Sequence, residues 1–548
     1  SDYTWKQYWY MYGVGGLFGG GNQDRYNSGF LNERENFFHK PLVNLNHFMT
    51  INEKTRLSSV LYWSGGSGGG TGTYGSSFRK PAVDGQKWYR SSPWGWDWDA
   101  AIATNSDRVD TDFHATENRS KGILRNSINR QDTYGLISKL NYEVSDELEL
   151  QVGLDWRTAG IEHAREVRDL LGGDYYVDYA DDNASDGKIV KLGDIIAYHN
   201  STTVDWLGGF VQGNYTKDKL NVYGMGGLSS IKYSYQDHFT VANEVIKADA
   251  ISTFQVKGGA MYDVDDNVSV FANTGYVQKP PIMDNVIYYD GTVASDPANE
   301  AFISSEAGIN FSSDNFAVKV SAYNTDWKDR NLTKSVTTGQ GDSGDTDVIF
   351  LSGIDQKHQG LEIEGSMKLN DMVRLNGAVS FGKWKFDGDA DGLYTEYAED
   401  APIQTAYTYT LDGLYVGDQP QTAYVLGTTI TPMDNLRLQG IFKMYDKNYA
   451  DWSPDSRELS GDADRTQVWQ APGYNRLDLH ASYKLPKVAG YDMTLTGHVF
   501  NALDAVYVQD AVDNSQYNGY GDKLHLAHNA EVFLGTPRYF NLGLTVNF

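Results

Sequence analysis

Apolar and polar residues alternate one for one along much of this chain, from about residue 41 to its C-terminus. Between Leu148 and Arg157, the set Leu148, Leu150, Val152, Leu154 and Trp156 takes one face, and Glu149, Gln151, Gly153, Asp155 and Arg157 take the other. The same split returns at Phe254, Val256, Gly258, Ala260 and Tyr262, at Leu361, Ile363, Gly365 and Met367, and at Leu477, Leu479, Ala481 and Tyr483. A period of two puts successive side chains on opposite faces of a β-strand. The runs are longer than the five or six residues usual in a soluble sandwich. Their second face carries charges at successive positions, which suits a wet lumen better than a core. The pattern predicts an all-β fold, a transmembrane antiparallel β-barrel with lipid outside and water within.

Short polar turns at 52–55, 145–146, 217–219, 265–267, 312–315, 370–371 and 433–435, and a longer one over 486–492, alternate with Gly-, Asp-, Tyr- and Ser-rich segments. Those segments cover roughly 64–130, 162–205, 235–250, 279–301, 328–347, 386–420, 446–472 and 507–530. Outer-membrane barrels have short periplasmic turns and long outer loops, so the alternation orients the chain. About 17 strands result, and both the first, near 41–51, and the last, ending at Phe548, run inward. Complete bacterial barrels have even strand numbers and begin from the periplasm. We therefore expect residues 1–40 to be an extracellular-loop-like segment and 41–548 the C-terminal part of a barrel of about 22 strands, with an odd number of strands preceding residue 41.

Composition narrows the chemistry. The chain of 548 residues has 46 Lys and Arg against 72 Asp and Glu, a net charge of −26, which speaks against a nucleic-acid partner. It has no Cys, which removes disulfides and thiol chemistry. Gly at 57, Pro at 13 and Tyr at 38 favour strands and turns. A mean hydropathy of −0.50 without a long apolar run excludes a helical span but not a barrel.

Three kinds of site suggest themselves. Asp387, Asp389, Asp391 and the following Gly392 reproduce the opening of a calcium loop, with Ala398 where the twelfth-position Glu belongs; Glu396 and Glu399 are the nearest carboxylates that could complete a structural calcium shell. The alternative is a solvated acidic loop. Aromatics cluster in the outer segments, and Trp94, Trp96, Trp98, Tyr175 and Tyr176 are candidates for a ligand platform, against the alternative of loop-on-loop packing. Catalysis has little support: His163, His199, His358, His480, His525 and His528 are dispersed, and neither His-Glu-x-x-His nor Gly-x-Ser-x-Gly occurs.

The last strand puts Phe540, Leu542, Leu544, Val546 and Phe548 on one face, and the terminal aromatic resembles the assembly signal of outer-membrane barrels. Phe500-Asn501-Ala502-Leu503-Asp504-Ala505-Val506-Tyr507, Gly360-Leu361-Glu362-Ile363-Glu364, the run Asn273 to Pro280, and Asn299-Glu300 followed by Ser305-Glu306-Ala307-Gly308 resemble, in order and spacing, strand motifs of the TonB-dependent outer-membrane transporters. Arg165 to Asp174 and Gly68 to Gly72 resemble outer-loop segments of one branch of that family. The resemblance implies active uptake of a scarce solute, a siderophore, corrinoid, glycan or peptide, across the outer membrane of a Gram-negative bacterium, without bond chemistry and with no required cofactor. It also implies coupling to the TonB complex through an N-terminal plug that is not recognisable here. Outer-membrane lipid, the solute, and a surface lipoprotein or other outer-membrane protein are the remaining expected partners. A passive porin, or a barrel that anchors an outer-membrane assembly, is the alternative.

Overall fold

The computed structural model describes residues 36–547 except 77–97, 242, 289–290, 296, 339–344, 398–401, 454–456, 458–463, 488–489 and 515–523. Its main sheet has 21 strands. Four of these are short outer annexes, and the other seventeen form a continuous antiparallel meander. In chain order they are β1 (Leu42–Asn52), β2 (Thr55–Gly75), β3 (Gly122–Glu143), β4 (Leu148–Asp169), β5 (Ile195–Lys217), β6 (Leu220–Asp237), β7 (Ile251–Asp263), β8 (Val268–Lys279) and β9 (Glu300–Ser312). They continue as β10 (Phe316–Thr338), β11 (Asp345–Lys368), β12 (Val373–Phe386), β13 (Thr422–Met433), β14 (Leu436–Asp446), β15 (Tyr474–Lys484), β16 (Asp492–Phe500) and β17 (Tyr539–Asn547). Each is antiparallel to the next, so β1 and β17 run the same way, as the parity of the turns requires.

The outward face is apolar through the membrane-spanning part. Val152, Leu154, Trp156, Leu207, Val211, Phe254 and Val256 are exposed on it, as surfaces facing lipid must be. Trp63, Tyr134 and Trp156 edge this band on the outer side, and Tyr142 and Tyr262 edge it on the inner side, forming the aromatic girdles that mark the headgroup levels. The inner turns are closed by side chains. Asp265 accepts the backbone N–H groups of Asn267 and Val268, and Asn370 accepts those of Met372 and Val373, so the turn holds its shape without further chain.

Several segments read as outer loops are strand instead. β2 continues through the glycine run to Gly75, pairing residue by residue with β3, so Gly68 to Gly72 is not a flexible loop. β4 likewise runs on to Asp169, into the Arg165 to Asp174 stretch read as an outer-loop segment. Above the lipid both faces meet water and the sequence need no longer alternate, yet backbone bonds extend the ladder regardless. The glycines there permit close approach: a Cβ at Gly69 would stand 1.9 Å from the Ser127 carbonyl oxygen. The sheet also begins earlier than residue 41, since Asn36–His39 pairs with the upper part of β2. Among the described residues one α-helix, α1 (Trp98–Ser106), which the period-two reading did not anticipate, caps this region.

The lumen face has its own regularity. Tyr62, Phe210, Tyr223, Phe271 and Tyr323 each stand directly opposite a glycine, at Gly135, Gly153, Gly259, Gly308 and Gly360 respectively. Each ring lies across its glycine so closely that a Cβ there would meet it at 2.0 to 2.7 Å. The rings therefore lie flat on the wall.

Two outcomes check this arrangement. Val152→Arg, at a position 47% exposed on the lipid face, should cost roughly 2–4 kcal/mol of barrel stability, while Gln151→Arg on the lumen face costs little; urea unfolding in lipid vesicles measures both. Gly360→Val should lift Tyr323 off the wall and cost about 1–3 kcal/mol. Gly226→Ala, where nothing lies within 4 Å, is the control and should stay within about 1 kcal/mol.

Candidate functional site

A convergence of ring systems lies on the lumen wall of β9 to β12. Phe302, Tyr323, Trp327, His358 and Trp384 all take lumen-facing registers. Phe302 and Trp327 have ring centroids 4.8 Å apart, His358 and Trp384 5.6 Å, and the Trp384 indole donates to the Tyr323 hydroxyl at 2.9 Å. All five are half-buried, so one side of each fronts the lumen. The Arg330 guanidinium lies 4.4 Å from the Trp327 ring centre, a cation–π contact that fixes the ring. Gln421 holds the Trp384 backbone from both sides, accepting its N–H at 2.9 Å and donating to its carbonyl at 3.0 Å.

Further in along the same wall, Glu306, Glu362 and Glu364 occupy lumen registers with Lys319, whose ammonium lies 3.5 Å from Glu306 and 5.0 Å from the Phe271 ring centre. Lys319 and Glu364 border a recess of about 550 Å³ lined also by Asn310, Asn376 and Gln439 and by apolar residues that include Phe311 and Ile441. Flat π faces above a largely apolar recess with a few polar groups suit a solute with a ring and a hydrogen-bonding periphery. Sequence reasoning missed this wall. The available signal was an aromatic at a polar register, as at Tyr323, Trp327 and Trp384.

The candidate residues read from sequence lie elsewhere. Trp94 and Trp96 fall outside the described residues. Trp98 opens α1 and packs on Ala101, Leu124 and Leu171. Tyr175 is fully buried, and Tyr176 packs edge-on against Tyr74, centroids 5.8 Å apart, beside Ile123, Val167 and Ile196. Burial, followed by the nearby Asp178 carboxylate, pushes the Tyr176 hydroxyl up to about 12. The two tyrosines form the interior of an outer lobe.

Asp387, Asp389 and Asp391 take separate partners. Asp387 pairs with Lys328 at 3.2 Å, Asp389 pairs with Arg465 at 2.7 Å and accepts the N–H groups of Leu411 and Asp412, and Asp391 accepts from Thr408 at 2.9 Å. Positive side chains thus supply at Asp387 and Asp389 the charge that the sequence reading assigned to calcium. Glu396 belongs to a strand, Ala390–Tyr397, and Glu399 lies outside the described residues. Among the described residues no three His, Cys, Asp or Glu side chains group to hold a metal ion.

A second outer lobe joins the outer end of β11 to the loops after β12, β14 and β16. Its apolar interior includes Leu351, Phe386, Leu411, Leu414, Tyr449 and Trp452. Beside it lies a charge cluster of Arg457 and Asp513, both fully buried, with His525, Asp464 and Asn514. His525 Nδ1 is 2.5 Å from Asp513 and Nε2 2.5 Å from Asp464, while Arg457 Nη1 donates to the Asp464 carbonyl at 3.1 Å. Burial alone would lower the His525 pKa, but its bonds to Asp513 and Asp464 outweigh burial and raise it. Burial would raise Asp464, yet hydrogen bonds from His525 and Thr466 hold it at about 2. Two cations and two anions balance, and the loop carrying residues 446–472 is pinned to that carrying 507–530.

Residues 4–502 match the protein family described as TonB dependent receptor-like, beta-barrel. The chain belongs to this family. TonB-dependent receptor barrels reside in the Gram-negative outer membrane, which places the lipid and lumen faces described above. Solved structures share the fold at low identity. The copper transporter OprC matches with a TM-score of 0.58 and 11% identity, over 92% of this chain and 65% of its own. The ferric citrate transporter FecA in its unliganded form gives 0.57 and 11% over 94% and 62%. The siderophore receptor PiuA from Acinetobacter baumannii gives 0.55 and 13% over 94% and 64%. The chain thus spans a little under two thirds of the length of these proteins. No curated protein matches it in sequence.

Within this receptor barrel, the motif residues do structural work. Lys279, beside Pro280, is the register partner of Glu300 and pairs with it at 3.0 Å; Glu300 is fully buried and also accepts from Trp327 at 3.0 Å. The two motifs therefore meet behind the aromatic wall. Asn501 adopts a left-handed φ of 48°, accepts the Ala505 N–H and donates to the Thr536 carbonyl, while Asp504 accepts the Arg538 N–H. The pair sets the entry of β17.

The pinned lobe gives a signed prediction. Because the folded pKa of His525 is raised, its contribution is full below its unfolded value and is lost as pH rises through the folded one; that of Asp464 is lost only as pH falls toward about 2. Protease resistance of the loops bearing 446–453 and 508–514 should therefore be full below the ordinary histidine range and fall as pH rises above it, and His525→Gln should remove that transition. Asp513→Asn, which leaves Arg457 buried without its carboxylate, should cost about 3–5 kcal/mol of lobe stability.

Proposed function

We propose that this receptor barrel takes up a scarce small solute by TonB-dependent transport, with the lumen wall of Phe302, Tyr323, Trp327, His358 and Trp384 as a contact surface for the solute. The observation that carries the reading is this wall: five rings on one lumen face, with Trp327 positioned by the buried Glu300, which the more exposed Lys279 pairs with, and by Arg330. Ring faces give stacking energy without demanding one substituent pattern, and the recess beneath supplies amide, ammonium and carboxylate groups for orientation. The solute classes that fit are a ring-bearing chelate, a corrinoid, a glycan or an aromatic peptide. The side chains bind and orient; no step makes or breaks a covalent bond. Release would draw on the inner-membrane proton gradient through TonB.

One feature favours a second reading, a passive pore. The segment carrying Met283–Asn285 folds into the lumen, where Val286 and Ile287 are buried against Ile231, Tyr233 and Tyr235 and the Tyr233 hydroxyl donates to the Pro281 carbonyl at 3.0 Å. An inward loop of this kind narrows a channel.

Uptake of labelled ferric chelates, corrinoids, oligosaccharides and peptides by cells expressing the full-length receptor separates the two. Transport should halt on dissipating the proton gradient or deleting TonB, and Trp384→Ala should weaken apparent affinity for the transported solute by about tenfold, the loss of roughly 1.4 kcal/mol of stacking. Uptake that ignores both the gradient and TonB would establish the pore.

A further inference from the structure

Two histidines eighteen positions apart in the sequence face each other across the lumen wall. His480 of β15 and His498 of β16 are direct register partners, both half-buried, with Nδ1 atoms 2.9 Å apart and ring centroids 5.1 Å apart. Phe500 lies against both, at 5.5 and 5.9 Å, and itself stacks on Tyr539 at 4.7 Å. The rings are thus braced from the outer side. On the same rung the register places Gln439 of β14 beside His480 and Asn541 of β17 beside His498. A continuous row of two carboxamides and two imidazoles runs across four strands, in lumen registers throughout.

With no metal bound, one Nδ1–H donates to the other Nδ1, which uses one proton and one lone pair. If the donating ring moves that proton to its own Nε2 through lumen water, both rings stay neutral and both Nδ1 lone pairs are free to take one ion. The 2.9 Å between them is the hydrogen-bond distance of the metal-free pair, so the ion that asks least movement of the braced rings is one whose nitrogen–nitrogen edge is about that long. Two nitrogens each about 2.05 Å from one metal stand about 2.9 Å apart at the cis edge of a square-planar or octahedral centre, but about 3.3 Å apart at a tetrahedral edge. Imidazole also selects against the hard ions calcium and magnesium, which take oxygen ligands.

We propose that His480 and His498 form a lumen-wall binding site for a divalent first-row transition ion of tetragonal or octahedral preference, Cu²⁺ or Ni²⁺. The two Nδ1 atoms are adjacent cis ligands, and Gln439, Asn541 and water supply oxygen at the remaining positions. With only two imidazole ligands the site is open to the lumen and exchanges its ion readily. The β15–β16 ladder is already complete without it, so the ion is bound by the wall rather than required to build it. This site does not depend on the uptake reading, and failure of either leaves the other standing.

Titration calorimetry of full-length, tag-free protein in detergent with CuCl₂ and NiCl₂ tests it. Wild type should bind one equivalent of each, with Ca²⁺ failing to compete, and His480→Gln and His498→Gln should each weaken binding at least tenfold. Cu²⁺ bound to wild type should show electron-spin-resonance splitting from two imidazole nitrogens. Absence of binding, or equal affinity in wild type and the double variant, overturns the site. Should the variants misfold, carbethoxylation mapped by mass spectrometry on wild type decides: protection of both histidines by Cu²⁺ supports the site, and modification unchanged by Cu²⁺ overturns it.

Discussion

Inside hydrocarbon no water is available to any backbone N–H or carbonyl, so each must find its partner in the wall itself. The ladder obeys this with notable strictness where lipid surrounds it. Register shifts occur between Leu124 and Arg125, between Ala164 and Arg165 and from Trp327 to Leu332, all in the outer extensions, and near Thr50–Asn52 and Ile430–Met433 at the inner turns. None of these falls in the apolar band. A bulge leaves a residue unpaired, which water tolerates and lipid does not. Everything else, from the alternating faces to the position of each lumen side chain, inherits its place from that uninterrupted pairing.

This constraint also explains what could be read in advance. Where lipid lies on one side and water on the other, each residue must declare its face, and Leu148 to Arg157 or Leu361 to Lys368 do so plainly. The strand count and the direction of the terminal strands followed from the turns. Above the band that pressure disappears, so the upper halves of β2, β3, β4 and β10 carry no period, and the glycines of β2 looked like loop although they serve close strand contact. Helix α1 and the two lobes depend on long-range packing that local pattern does not encode. The histidine pair was legible in principle: His480 and His498 are equidistant from the centre of the β15–β16 hairpin. Seeing it required the register, not the spacing.

The outer lobes follow a different logic from the wall. With little regular structure of their own, they are ordered by compact apolar clusters and by charges taken out of water in balanced groups, such as Arg457 with Asp464, Asp513 and His525. Breaking one partner leaves another buried and unpaired, so such a cluster enforces a single docked arrangement of two loops even where its net contribution is modest. An acidic surface can thus coexist with precisely placed loops, because the carboxylates that matter for shape are already answered by arginine, lysine or histidine.

The ring-over-glycine pairs recur once in each of five successive hairpins joined on the outer side: β2–β3, β4–β5, β6–β7, β8–β9 and β10–β11. Laid flat, a tyrosine or phenylalanine adds hardly more than the thickness of its ring to the inside of the tube. The free bore is then set by main-chain geometry and not by which rotamer a bulky side chain happens to adopt. Along these five hairpins the wall offers flat ring faces whose reach into the lumen does not change with the swing of a side chain.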